Sequence, residues 1–360
     1  MQARALEYPI SLLPSLRYAE FVCPLCQGDL VALRESYSCE RCEREYRLHC
    51  GIPDFRVFPD PYLSFDEDRE RTEIVLGALE RYKLEPLLEY YWTFSDITPP
   101  DLRPRFVRSA MLGEKRAMRT MRVIGSGGDS GTMRRRVLEI GSGTGNFLAV
   151  AVERDQQVIG IDIAMRWLHL SRRRFMDKGL AVPPLVCCCA EYLPFRDGAF
   201  DLIVMSSTLE FVRDQRKVFA ECARLLGEGG SLYVNTVNRF SIARDPYAYL
   251  WGVGFLSRAW QAGYVRWRRG ARYEQIRLLS LGELKRLAGE CSLAGDIQLP
   301  DIDDAALSGF SRLTRLQVRL YRLLKALPVF GWLLKWIGPG WDATFSVRGN
   351  IAAAQTRPGH

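Results

Sequence analysis

The stretch Arg136-Val137-Leu138-Glu139-Ile140-Gly141-Ser142-Gly143-Thr144-Gly145-Asn146-Phe147-Leu148 constrains this chain more than any other. An apolar strand breaks into three alternating glycines, and Phe147, Leu148, Val150 and Ala151 then resume at helical spacing. That order brings bare backbone N–H groups and a helix N-terminus up against a ligand. A second apolar run, Val158-Ile159-Gly160-Ile161, ends on Asp162, seventeen residues beyond Gly145. A carboxylate at such a strand end is placed to accept both hydroxyls of a ribose. The glycine pattern is G-x-G-x-G and lacks the G-x-G-x-x-G spacing that seats a pyrophosphate, so the expected ligand is a nucleoside without phosphates.

Three later segments extend the pattern: Cys189-Ala190-Glu191-Tyr192-Leu193-Pro194-Phe195, then Phe200-Asp201-Leu202-Ile203-Val204-Met205-Ser206-Ser207, then Arg224-Leu225-Leu226-Gly227-Glu228-Gly229-Gly230-Ser231-Leu232. Together with the glycine turn and Asp162, they resemble the class I S-adenosylmethionine-dependent methyltransferases, methyltransferase type 11 in kind, over roughly residues 134 to 300. The resemblance implies an α/β fold, a Rossmann-like seven-stranded methyltransferase sheet. It also implies that Gly141 and Gly143 let the backbone approach the amino-acid part of S-adenosyl-L-methionine, that Glu139 orients the loop or the ammonium, and that Asp162 takes the ribose. Ala190 and Glu191 would flank the adenine, and Ser142, Gly145, Ile163, Cys189 and Ser206 complete the implied cofactor set.

This sequence departs from the family in two places. Cys189 stands where relatives usually carry Asp, and Leu209-Glu210-Phe211-Val212 stands where many carry a His. No catalytic residue is therefore assigned. Glu210, Tyr192 and Asp214 are the candidates for a base near the expected mouth, and His169 reads as an ordinary helical residue. Methyl transfer needs alignment and exclusion of water more than it needs a base.

Ahead of this domain, Cys23-Pro24-Leu25-Cys26 is followed after twelve residues by Cys39-Glu40-Arg41-Cys42. Two CxxC knuckles suit a tetrahedral thiolate site for structural Zn2+, with Cys23, Cys26, Cys39 and Cys42 as ligands. Residues 1–59 thus resemble a zinc-ribbon module, too short to bury a sufficient core without metal. His49 and Cys50 read as bystanders. Residues 187–189 form a Cys triplet on a strand; consecutive strand residues point to opposite faces, so they are expected to pack as small apolar side chains.

Between the module and the sheet, residues 60–124 read as a helical cap. Its aromatics Tyr82, Tyr90, Tyr91, Trp92 and Phe94 either line the substrate pocket or form the cap's core. Residues 125–132 are a Gly/Ser-rich linker by composition, and residues 133–360 form the methyltransferase domain. Within that domain, 238–279 is a lid rich in Trp, Tyr and Arg. An apolar insertion, about 301–340, suits either packing or a membrane interface.

With 360 residues, a hydrophobic share of 48% and no apolar segment near the ~20 residues of a membrane span, the chain is expected to be a cytoplasmic enzyme of more than one domain. Its net charge of +8 rests on arginine, which supplies 43 of 50 basic residues. The expected activity is methyl transfer to a small-molecule or carrier-borne acceptor of lipid-linked, glycan or natural-product type. An RNA base methyltransferase and a non-catalytic scaffold remain as alternatives, and peripheral membrane contact through the C-terminal apolar region stays open.

Overall fold

The computed structural model describes residues 20–95, 97–125, 134–302 and 312–347. In chain order, β1 (Leu30–Ala32), β2 (Ser36–Cys39), β3 (Glu45–His49) and β4 (Ile52–Pro53) form a small antiparallel sheet. Four helices follow: α1 (Phe65–Leu79), α2 (Leu84–Phe94), α3 (Arg103–Met111) and α4 (Gly113–Gly125). Ser64 opens α1 through a capping box with Glu67, which satisfies two of the amides that a helix start leaves without partners.

The main domain alternates β5 (Arg136–Ile140), α5 (Asn146–Val152), β6 (Gln157–Asp162), α6 (Met165–Lys178), β7 (Leu185–Cys187), β8 (Phe200–Ser206), α7 (Gln215–Leu225) and β9 (Leu226–Val237). It continues with α8 (Arg258–Arg269), α9 (Leu281–Glu290), β10 (Leu293–Gln298), α10 (Arg312–Ala326), α11 (Pro328–Ile337) and β11 (Gly340–Val347). The sheet order is β10-β11-β9-β8-β5-β6-β7, parallel except that β11 runs antiparallel to both neighbours. This is the Rossmann-like α/β arrangement the glycine turn implied.

Strands β5, β6 and β8 are almost wholly apolar because helices cover both faces of a parallel sheet. Chain order reverses on either side of β5, so the crevice of an open α/β sheet falls beyond its C-terminal end. The long apolar run after residue 312 breaks at Leu327-Pro328 into α10 and α11. The final strand starts at Gly340, directly after the bend that ends α11. Gly125 closes α4, while the rest of the linker expected at 125–132 lies outside the described residues.

The N-terminal sheet is grafted onto the edge of the large one. Asp54 bridges Cys187 in parallel, Phe55 N donates to Cys187 O at 2.7 Å, and Val22 N donates to Pro194 O at 3.1 Å. Cys23, Cys39, Tyr46 and Phe55 belong to the same core cluster as Ile140, Phe195 and Met205.

A buried ion cluster, invisible in the sequence, ties module, cap and sheet together. Asp68 of α1 accepts from Arg56 Nη1 at 2.6 Å and from Arg166 Nη1 of α6, and no part of it is exposed. Arg166 also donates to Asp60 Oδ2 at 3.0 Å and to the Tyr91 hydroxyl at 3.0 Å. Arg56 reaches Asp54 Oδ2 at 2.5 Å. Removing one partner of a buried pair strands the others, at a cost of about 3–5 kcal/mol. Asp68→Ala is therefore expected to lower the unfolding free energy by that order, read as a fall in the urea midpoint. An unchanged midpoint would mean that the cluster holds nothing together.

Candidate active site

Each glycine of the turn has its own reason to be there. Gly141, Gly143 and Gly145 all adopt left-handed φ, at +73°, +49° and +73°, where a side chain is strained. At Gly141 a Cβ would stand 2.2 Å from Thr208 Oγ1, and at Gly145 2.2 Å from Ser171 Oγ. At Gly143 nothing lies within 4 Å. The outer two glycines thus permit packing, and the middle one opens to a cleft.

That cleft has a volume of about 710 Å³ and sits over the C-terminal ends of the parallel strands. Gly143 N donates to Asp162 Oδ2 and Ala164 N to Oδ1, both at 2.9 Å. Each carboxylate oxygen keeps a lone pair for a further donor. Burial raises the Asp162 carboxyl from its ordinary 3.8 to about 6, opposed by the two backbone N–H groups. Burial raises Glu139 well above the usual carboxylate range. Glu139 Oε2 and Ser142 Oγ are buried with no partner among the described residues. Orphaned buried polar atoms are costly unless a ligand meets them. An open glycine cradle, two unpartnered acceptors and a strand-end carboxylate therefore fit a nucleoside bearing an ammonium group.

Of the residues named from sequence, Glu139, Gly141, Ser142, Gly143, Asp162, Ile163, Ala190, Glu191 and Ser206 line the cleft. Two do not. Gly145 turns toward Ser171, and Cys189 Sγ faces the 57–58 segment, donating to Phe58 O at 3.5 Å and accepting from Val57 N at 3.4 Å. Glu191 Oε1 accepts from Arg213 N at 2.7 Å and Asp214 N at 3.2 Å, which fixes the loop after β8.

None of the three base candidates is among the lining residues. Tyr192 lies under Lys217, with Nζ 3.1 Å from the ring centre, and Asp214 caps α7. Glu210 is fully buried, accepting from Thr236 Oγ1 at 3.0 Å and Val237 N at 2.9 Å. His169 is buried beside His49, with ring nitrogens 3.4 Å apart, and its burial holds it neutral.

The opposite half of the cleft comes from residues the sequence did not single out. Tyr62, Arg105, Phe106, Arg116 and Asn235 line it, together with Tyr247 and Arg272 from the expected lid. Tyr91 and Trp92 both line the cleft and fill the core of the cap, so the two readings of that aromatic cluster coincide there. Arg116 donates to Ser109 O at 2.9 Å and Ser109 Oγ at 3.1 Å, and has no carboxylate partner among the described residues. Desolvation by the atoms around it, with Arg119 close by, lowers its pKa. In sequence these arginines are indistinguishable from surface arginines on a charged helix.

At the far edge, the Sγ atoms of Cys23, Cys26, Cys39 and Cys42 all lie within 4.8 Å of one another. Cys23 and Cys42 are 3.6 Å apart, and Cys26 and Cys39 3.4 Å. A tetrahedral zinc with Zn–S of about 2.3 Å needs sulfurs roughly 3.8 Å apart, so the donor set fits with a small expansion. His49 and Cys50 stand outside this cluster.

Residues 138–234 match the methyltransferase domain family, a segment that contains the glycine turn, Asp162, Glu191 and Ser206. Over 124 residues the chain is 31% identical to the ubiquinone biosynthesis O-methyltransferase of Pseudomonas aeruginosa, covering 34% of this chain and 51% of the relative. Over 128 residues it is 33% identical to the biotin biosynthesis bifunctional protein BioHC of Cellvibrio japonicus, covering 36% and 22%. The chain thus spans about half the length of the first relative and less of the second. Among solved structures, Haemonchus contortus phosphoethanolamine N-methyltransferase 2 in complex with S-adenosyl-L-methionine is 18% identical, covering 63% of this chain and 51% of that one, with a TM-score of 0.40.

The raised Asp162 pKa has a sign that can be checked without ligand. The folded carboxyl holds its proton more tightly than the unfolded one, so this group's contribution to stability falls as pH rises from about 4 through about 6. Asp162→Asn removes the titration. Unfolding midpoints followed over that range are expected to show a downward component in the wild type that the variant lacks; parallel profiles would contradict it.

Proposed function

We propose that this chain transfers a methyl group from S-adenosyl-L-methionine to a small-molecule acceptor that carries an acidic group. The observation that supports the donor half is the left-handed Gly143, open to the cleft, with its N–H on the carboxylate of Asp162. Bound there, S-adenosylmethionine supplies an electrophilic methyl for an in-line displacement. Asp162 would take the ribose hydroxyls, Glu139 and Ser142 the amino-acid end, and Ala190 with Glu191 the base.

The acceptor half rests on chemistry rather than on a named base. Arg105, Arg116 and Arg272 on the lining favour a carboxylate or phosphate on the acceptor, because each brings to the cleft a guanidinium with no carboxylate partner among the described residues, and a guanidinium pairs with such anions through charge-assisted hydrogen bonds. Tyr62, Phe106 and Tyr247 supply flat apolar walls that exclude water while donor and acceptor are held in line. The comparisons agree with a small acceptor only through their names, which belong to those proteins.

Titration calorimetry with S-adenosylmethionine and its demethylated product tests the donor half. Asp162→Ala is expected to weaken both by roughly 10–100-fold, the equivalent of about 1.5–3 kcal/mol for hydrogen bonds to a charged group. Absence of binding to either by the wild type leaves only the scaffold reading. Arg116→Ala is expected to leave cofactor affinity unchanged and to raise KM for whichever acceptor a metabolite screen for methyl gain identifies.

We assign a structural zinc to the four cysteines, since four thiolates leave no open position for chemistry. The module shares its core with the large sheet, so Cys39→Ser is expected to lose the metal and to lower the thermal midpoint of the whole chain. A single unchanged transition in the metal-free variant would show that the ion does not support the fold.

A further inference from the structure

Helix α10 carries its two faces the wrong way round for a helix of a water-soluble domain. Its polar side is tied to the body of the protein. Tyr321 Oη donates to Pro300 O at 2.8 Å, Arg322 Nε to Ile302 O at 2.9 Å and Lys325 Nζ to Leu299 O at 3.0 Å. Leu316, Leu320 and Leu323, spaced four and three apart, form a single stripe, and these three are exposed, as is Leu327 just past the helix end. A stripe of that spacing is ordinarily the face a helix buries.

The apolar surface does not stop at α10. On α11, which packs against it, Val329, Phe330, Trp332, Leu333 and Trp336 are exposed, and Trp332 and Trp336 meet edge to face with ring centres 6.3 Å apart. The end of α11 is tied to the loop leaving β9, where Ile242 N donates to Ile337 O at 3.0 Å and Asn238 Nδ2 to Trp336 O at 2.7 Å. That loop packs Phe240 against Phe255, 5.6 Å between ring centres, at the entrance to α8. On α8, Trp260 and Trp267 lie two turns apart on one side, 73% and 76% exposed. Isolated exposed hydrophobics are ordinary, whereas a continuous run of this size marks an interaction surface.

Charge says what kind of partner it meets. Helices α8, α10 and α11 with the residue joining the last two hold ten of the chain's 50 basic residues and none of its 42 acidic ones, so the remainder is near neutral at 40 against 42. Arg312 and Arg319 flank the leucine stripe at 100° per residue, and both are exposed. A second copy would bring arginines against arginines. Single-stranded RNA would satisfy the arginines and stack on tryptophan, but it offers nothing to the aligned leucines. A bilayer surface rich in anionic headgroups answers leucine, tryptophan and arginine together. Among the described residues no helix is long and apolar enough to cross a membrane, so the contact is with one face.

We propose that α10, α11 and the outer side of α8 form a docking surface for anionic phospholipid membranes. Val237 lines the cleft, and its neighbour Asn238 is bonded to α11. Docking therefore sets the acceptor end of the cleft beside the lipid interface, from which an amphiphile with an acidic head can enter. That last clause rests on the proposed methyl transfer; the docking itself does not.

The test uses the full chain and sedimentation with vesicles of phosphatidylcholine alone or mixed in equal parts with phosphatidylglycerol. Binding is expected to the mixed vesicles, at least about tenfold tighter than to phosphatidylcholine and falling steeply with salt. Leu320→Glu with Leu323→Glu alters only exposed positions. It is expected to reduce vesicle binding by about tenfold or more, with cofactor titration and thermal midpoint unchanged. The proposal is overturned if the wild type ignores the anionic vesicles, or if the double variant sediments with them equally. It is also overturned if the wild type instead binds single-stranded RNA, or forms a dimer that the variant breaks, without vesicle binding. Loss of cofactor binding with vesicle binding intact would remove the methyl-transfer reading and leave this surface standing.

Discussion

The carboxylate of Asp68 sits in the dark between two guanidinium groups, and the architecture around the cleft depends on that arrangement. Arg56 belongs to the segment that leaves the cysteine module, Arg166 to the helix after Asp162, and Asp68 to the first helix of the cap. None of the three can be charged and buried alone, because an unpaired ion in a low-dielectric interior carries a desolvation penalty of several kcal/mol. Met165 N also donates to Asp68 Oδ2, at 3.3 Å. One carboxylate thus positions the start of α6 next to the strand end that presents Asp162.

The same economy explains the cysteine module. Four short strands cannot bury enough apolar surface to offset their conformational entropy. The module has two resources, four cysteine sulfurs gathered within 4.8 Å of one another as the proposed zinc site, and Phe55 and Tyr46 lent to the core beneath the large sheet. Its exit strand adds main-chain hydrogen bonds to β7. A change at the cysteines is therefore transmitted to the sheet edge and, through Arg56, to the ion cluster at the cleft.

What could be read from sequence followed from local rules. The glycine turn, the acid closing β6 and the CxxC pairs each depend on residues within a few positions of one another, where backbone geometry leaves few alternatives. The seven-stranded sheet was implied by the family those motifs together resemble, and its strand order comes from the structure. What could not be read depends on partners far apart in the chain. Arg56 and Arg166 look like any solvated arginine until Asp68 is brought between them, and Arg116 gives no local sign that it lines the cleft. Cys189 was assigned to the cofactor because it occupies a motif position. The structure turns its sulfur toward Phe58, since Ala190 and Glu191, on the lining, follow it in a turn. Glu210 was suggested as a base from proximity in sequence to β8, and it serves instead to anchor the Thr236–Val237 end of β9.

The overall charge shows how a whole-chain quantity misleads when its distribution is unknown. A net +8 spread evenly over the surface would give a diffuse field and a weak, general attraction for polyanions. Here the arginines divide into two populations with different physics. Those at the cap and sheet, such as Arg56, Arg136, Arg166 and Arg224, are matched to carboxylates and add nothing to the far field. A second set lies on three helices that hold no acid of their own and also expose leucine and tryptophan, where three of the ten basic groups, Arg258, Arg269 and Lys325, reach carboxylates of other segments. Basic charge alone attracts any polyanion, and apolar surface alone attracts any apolar surface. Only their coincidence on one set of helices selects a partner that is anionic at its boundary and apolar just beneath it, which is the constitution of a bilayer and not of a nucleic acid.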